Sequence, residues 1–310
     1  MTHDAEPRYE RRPSLQRKLG LLNIGGLAVS GMLVCVLLGT WSWFTQRADL
    51  IRTTDSVARV LAENAARGLV LLEDFGEVRM REYLDQWPAD EVDVYKAAID
   101  ALVELHRLPP GPFLDYSLAE YQREARLFIE WYCPARDLQV DGAGYTAAWE
   151  AALSPLLARQ RPGVVVLRDY HAENIMLLGS LGNQGLLDFQ DALNGHPAYD
   201  LVSLLQDARR DVSPQLEADM FDYYVEQSGA GDDFLADYAR LGAQRNAKIV
   251  GIFVRLCKRD GKPRYLDYIP RVWALLERDL HHPALAPVAD WFAANIPAEL
   301  RSAGGGKINP

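Results

Sequence analysis

One stretch constrains this chain more than any other: Leu167-Arg168-Asp169-Tyr170-His171-Ala172-Glu173-Asn174, set between short apolar runs. Three valines, Val164 to Val166, lead into it and read as a strand. Ile175 to Leu178 reads as a second strand, and Gly179 to Gly185 as a turn cluster. Gly185 to Leu187 then returns as a third strand and delivers Asp188-Phe189-Gln190-Asp191. A hairpin of this spacing brings Asp169, Asn174 and Asp188 near one point. Mg²⁺ takes oxygen ligands in octahedral geometry and keeps part of its water shell, so an Asn amide oxygen and an Asp carboxylate suit it. A further carboxylate beside them can accept the proton of an incoming hydroxyl. The set R-D-x-x-x-x-N, followed fourteen residues later by D-F, is therefore read as phosphoryl-transfer chemistry. Asp and Asn also cap and turn loops, but the hairpin spacing and D-F-Q-D favour catalysis. For His171 a role as base or ligand competes with packing that braces its loop, and the brace is favoured.

Around this segment the pattern is mostly helical. Apolar periodicity predicts helices over 89–108, 116–131 and 144–157, then over 198–209, 213–228, 232–256, 264–280 and 284–295. Tyr223, Tyr224, Phe234, Tyr238, Phe253, Trp273 and Trp291 are expected in the core, with a sugar-stacking role as the alternative for some. Arg255, Lys258, Arg259, Lys262 and Arg264 read as a solvated loop, the alternative being a contact with a substrate carboxylate or phosphate. The net charge of −10 disfavours nucleic acid as a partner. Cys35, Cys133 and Cys257 are far apart in sequence and form no disulfide framework or zinc motif.

The catalytic stretch resembles the aminoglycoside phosphotransferase and choline-kinase branch of the protein-kinase-like fold. That branch reads H-x-D-x-H-x-x-N, then a metal-binding Asp, then G-x-P-x-x-D-L. Here stand Asp169, His171, Asn174 and Asp188, followed by Gly195-His196-Pro197-Ala198-Tyr199-Asp200-Leu201. The usual first His is Leu167, which removes a bracing residue and not the base. From about Gly68 to Ile296 the sequence also resembles the bacterial anomeric sugar kinases of cell-wall recycling, which act on N-acetylmuramate and N-acetylglucosamine. It does so in LLEDFGEVRMREYL, LRDYHAENIMLL and LLDFQDALNGHPAYDLVSLLQDARRDV, and again in LGAQRNAKIVGIFVRLCKRDGKPRYL and HPALAPVADWF. The resemblance implies ATP and Mg²⁺, a small sugar as acceptor, Asp169 as base, and Asn174 and Asp188 as metal ligands. Leu72, Glu73, Asp74 and Phe75 would fall at the hinge, where backbone groups meet adenine. Arg168, His171, Asp191 and Asp200 would support the site, Asp200 by bracing the catalytic loop from the following helix. The implied fold class is α+β: a mostly helical large lobe over 67–310 with a small catalytic hairpin. By itself this part would imply a cytoplasmic protein.

The first 66 residues read differently. Residues 1–18 form a basic tail of net charge +2, and 19–46 carry no charge at all. A bilayer core needs about 20 apolar residues in a helix, so 19–46 is expected to span the inner membrane, with Trp41, Trp43 and Phe44 at the interface. Residues 47–66 predict an amphipathic linker helix. Residues 13–64 resemble the opening of CHASE-type membrane sensors. Between Leu19 and Tyr95 there is no lysine, and no β-alternating stretch precedes Leu69. A small N-terminal β lobe, with its glycine-rich loop and phosphate-gripping lysine, is thus expected to be absent. On that reading activity is weak or lost, and the alternative function is a membrane-anchored, non-catalytic kinase remnant or a sensor fusion.

Overall fold

The computed structural model describes residues 74–309. In chain order the elements are α1 (Met80–Gln86), α2 (Glu91–His106), α3 (Leu118–Ala125), α4 (Gly142–Arg159), β1 (Val164–Val166), β2 (Ile175–Leu177), β3 (Gln184–Leu186), β4 (Leu193–Gly195), α5 (Ala198–Leu205), α6 (Pro214–Ser228), α7 (Phe234–Lys258), α8 (Ile269–Leu280), α9 (Ala286–Asn295) and α10 (Ala298–Ser302). They fall into two compact units. Residues 74–101 and 169–192 belong to one, and 102–168 and 193–309 to the other.

The first unit holds the predicted hairpin. β2 and β3 pair antiparallel with Ile175 opposite Leu186, Met176 opposite Gly185 and Leu177 opposite Gln184. Ile175, Met176 and Leu177 are all buried, and each such side chain contributes about 2–3 kcal/mol. Both faces of β2 are therefore buried, and alternation of faces does not set the register. Gly185 is needed for a close approach: a Cβ there would lie 2.7 Å from the ring of Phe75. Helix α1 is stitched to this layer by the residues just before it, where the Val78 carbonyl accepts from the Leu177 N–H at 2.9 Å and Arg79 bridges to Met176. Met80, Leu84, Val94, Tyr95, Ala98 and Ile99 complete the core of the unit.

The second unit is built on α7, a 25-residue helix with buried residues on every side. It packs against α3, α5 and α8. Gly251 permits its closest contact, since a Cβ there would stand 2.3 Å from the carbonyl of Leu127. Beside it the predicted helix over 116–131 is interrupted: α3 ends at Ala125, and a π-helical turn follows over Phe128–Tyr132. That turn feeds Phe128 and Tyr132 into an aromatic cluster, with Phe128 4.9 Å from Tyr132, 5.8 Å from Trp273 and 5.1 Å from Phe292 between ring centroids. Side-chain caps start α3, α4 and α6, through Ser117, Asp141 and Ser213, each worth about 1 kcal/mol.

Strand β4, which sequence periodicity did not indicate, pairs antiparallel with β1, placing Val165 opposite Asn194. Asn194 also bonds the chain beside it, its side-chain amide donating to the carbonyls of Gly111 and Phe113 at 3.0 and 2.8 Å. Three residues are too few to show a period, so the strand is set by these partners. Of the expected core aromatics, Tyr224, Phe234, Tyr238, Phe253, Trp273 and Trp291 are buried, and Tyr223 is half-buried. Lys258, Arg259, Lys262 and Arg264 are exposed, as a solvated run would be, whereas Arg255 is half-buried within α7.

No helix among the described residues is long and apolar enough to cross a membrane. The basic tail over 1–18, the expected span over 19–46 and the linker over 47–66 lie outside the described residues, as do Leu72 and Glu73.

Candidate functional site

The loop between β1 and β2 carries Asp169 and Asn174, and β3 leads directly to Asp188. The loop closes on itself. The Asp169 carbonyl accepts the His171 N–H at 3.1 Å, and the His171 carbonyl accepts the Asn174 N–H at 2.8 Å. The Asn174 side-chain amide donates back to the Asp169 carbonyl at 3.0 Å. This bond engages Nδ2, not the amide oxygen. Across the hairpin the Leu187 N–H donates to the Asn174 carbonyl at 2.9 Å, so Asn174 is paired with the residue that precedes Asp188. Asp169 and Asp188 are exposed. Asp188 has φ of +59°, a left-handed conformation that Asp tolerates better than most residues. The Asp188 carboxylate also accepts from the Gln190 side-chain amide; an amide oxygen and a carboxylate are donor types that Mg²⁺ accepts, with water filling the remaining positions.

His171 is buried, with 4% exposure, and its peptide group is part of the loop's hydrogen bonding. Its surroundings fit a brace. Asp191 is exposed after the hairpin. Of the expected hinge, Asp74 and Phe75 are described, and the Phe75 ring lies over Gly185 of β3. The loop is further tied to α1, whose Arg81 donates its N–H to the Ala172 carbonyl at 3.2 Å and its side chain to Glu173.

In the second unit, Asp200 on α5 is fully buried. Its two oxygens accept the backbone N–H groups of Leu167 at 2.6 Å and Arg168 at 2.8 Å. Arg168 has φ of +73°, which costs a side-chain-bearing residue about 1–2 kcal/mol. Asp200 therefore fixes an unfavourable backbone turn in the residue directly before Asp169.

Sequence reasoning missed Glu124 and Lys248. The Arg168 guanidinium donates to Glu124, and Lys248 Nζ reaches the same carboxylate at 2.8 Å. The available signal was a charged Glu124 running into the apolar Ala125, Leu127 and Phe128.

The second unit also has a cavity of about 530 Å³, whose lining includes His106, Arg159, His196, Tyr224, Phe234 and Asp237. Burial and the nearby His196 lower the His106 pKa to about 3. Asp237 is held well below the usual carboxylate range. Burial would raise it, but hydrogen bonds from His196 and Arg159, with their charges, outweigh that. None of the predicted catalytic or metal residues lines this cavity.

Residues 44–243 match the model of the phosphotransferase enzyme family. The chain belongs to that family. It is 41% identical over 263 residues to the N-acetylmuramate/N-acetylglucosamine kinase of Caulobacter vibrioides, an alignment covering 79% of this chain and 72% of that protein. With the enzyme of the same name from Pseudomonas aeruginosa it shares 38% over 251 residues, covering 77% and 73%. Among solved structures, a choline/ethanolamine kinase family protein from Mesorhizobium loti aligns with a TM-score of 0.49 and 15% identity, over 70% of this phosphotransferase and 71% of that chain.

These matches correct the reading of the first 66 residues. The family match takes in 44–66 and enters the uncharged run, so the CHASE-type anchor is not supported. The fold is that of a mostly helical, kinase-like phosphotransferase, and no helix among its described residues is long and apolar enough to cross a membrane, against the expected transmembrane helix. That helix was expected from the uncharged run, the basic tail before it and the aromatic residues that close it, all local signals. The inner-membrane location, which rested on that span alone, falls with it. Nor do relatives that are kinases support an inactive remnant or a sensor fusion.

Proposed function

We propose that this phosphotransferase moves the γ-phosphoryl group of ATP onto the anomeric hydroxyl of N-acetylmuramate or N-acetylglucosamine. The observation that carries the reading is the closed loop with Asp169 open to solvent and Asn174 paired with the residue that precedes Asp188. The names of the relatives supply the acceptor. Asp169 accepts the proton of the sugar hydroxyl as that oxygen bonds to the γ-phosphorus and the bond to the ADP oxygen breaks. Asn174 and Asp188 would hold Mg²⁺, which when bound neutralises charge on the phosphates. Asp200 and Arg168 keep the loop in place, His171 braces it from within, and Asp191 follows the metal-binding turn. The backbone of residues 72–75 would meet adenine, with the Phe75 ring seated on Gly185 supporting that placement.

The test is turnover of ATP with Mg²⁺ and either sugar, read as ADP release. Asp169→Asn is expected to lower kcat by about 10²–10⁴ while leaving the thermal midpoint within a few degrees of wild type. Turnover that survives Asp169→Asn undiminished would remove Asp169 as the base.

A further inference from the structure

The catalytic loop is anchored from an unexpected side. Glu124, on α3, is 1% exposed. Arg168 and Lys248 both donate to its Oε1, the latter at 2.8 Å. Tyr116 donates its hydroxyl to Oε2, and Gln244 approaches the same oxygen at 3.5 Å. Lys248 also reaches the Tyr199 hydroxyl at 3.2 Å. Burial would raise the Glu124 pKa, but the charges of Lys248 and Arg168 and the bonds from Lys248 and Tyr116 hold it below its ordinary value. One carboxylate thus serves two cations in a largely dry pocket. Without it, two like charges would share that pocket.

The consequence reaches the reaction through the backbone. Asp200 fixes the Arg168 peptide, but a residue at φ +73° needs its side chain held as well, because rotation there swings the next residue. That next residue is Asp169. We propose that Glu124 is a positioning residue for phosphoryl transfer, gripping the Arg168 guanidinium so that the Asp169 carboxylate is held where the acceptor hydroxyl arrives. Lys248 neutralises Glu124 and does not touch the loop in the contacts observed. This inference rests on the proposed kinase reaction for its kinetic readout only.

The experiment compares Glu124→Gln with Glu217→Gln. Glu217 is another buried carboxylate of the second unit, held by Arg278 and Tyr238, and has no contact with the loop. Both substitutions remove a buried charge partner and both lower stability. Glu124→Gln is expected to lower kcat roughly 10- to 100-fold, the scale of a misplacement of about 1 Å, with KM for ATP and sugar within about threefold. Backbone amide exchange over residues 167–172 should quicken about tenfold or more. Glu217→Gln should leave both readouts at the wild-type value under conditions where it is fully folded. Glu124→Asp, which keeps the charge, should recover part of kcat, and it replaces the amide variant if that variant does not fold. Equal kcat losses in the two amide variants, or unchanged exchange over 167–172 in Glu124→Gln, would overturn the proposal. If wild type turns over neither sugar, the kinase reading fails, and amide exchange alone decides whether Glu124 holds the loop.

Discussion

Replacing Asp200 tests how the catalytic loop is held. The carboxylate is fully buried and accepts two peptide N–H groups, at 2.6 Å from Leu167 and 2.8 Å from Arg168. Hydrogen bonds to a charged group contribute about 1.5–3 kcal/mol each. Asp200→Asn keeps one acceptor oxygen and turns an amide N–H toward the other donor. It therefore loses one bond and strands one buried N–H, for an expected cost of about 2–3 kcal/mol. Asp200→Ala strands both donors, so its cost rises to about 4–6 kcal/mol. That is a large part of a stability of about 5–15 kcal/mol. Urea denaturation at pH 7, with a common slope for the three proteins, reads these values directly. The order wild type, Asn, Ala is the expected result. An Asn variant within about 0.5 kcal/mol of wild type would show that the two short contacts do not hold the loop, and the reasoning would fail.

Other expectations follow from single contacts. Gly251→Ala places a methyl group 2.3 Å from the Leu127 carbonyl; backbone must move, and denaturation should show a loss of about 2–3 kcal/mol or more, whereas a neutral effect would mean that the π-helical turn shifts freely. Asp237→Asn breaks contacts with Arg159, Arg240 and His196 and should cost about 3 kcal/mol at pH 7. Because the folded-state pKa of Asp237 is depressed, its contribution is complete above about pH 4 and lost as pH falls further. The gap between wild type and Asp237→Asn should therefore narrow between about pH 4 and pH 2; a constant gap would contradict the shift. Asn174→Ala should raise the Mg²⁺ concentration for half-maximal turnover about tenfold or more, and an unchanged Mg²⁺ requirement would take Asn174 out of the metal site.

The β2–β3 hairpin and the long helices were legible because their signals are local. The pairing of β2 with β3 joins residues seven to eleven apart, and the turn glycines and flanking apolar residues announce it. Asp169, Asn174 and Asp188 follow from that same short span, and α2, α6 and α7 from apolar periodicity. What tertiary structure alone decided is non-local. β4 pairs with β1 across almost thirty residues, and the π-helical turn exists where Gly251 lets α7 come close. The anchor of Arg168 draws Glu124 from 44 residues upstream and Lys248 from 80 downstream. Hydropathy reports how apolar a run is, but not what will cover it, and so a membrane span could be read into 19–46 although no helix among the described residues is long and apolar enough to cross a membrane. A sequence specifies the charges and apolar faces each element presents; which of them meet is settled only when burial makes unpaired charges and empty space costly.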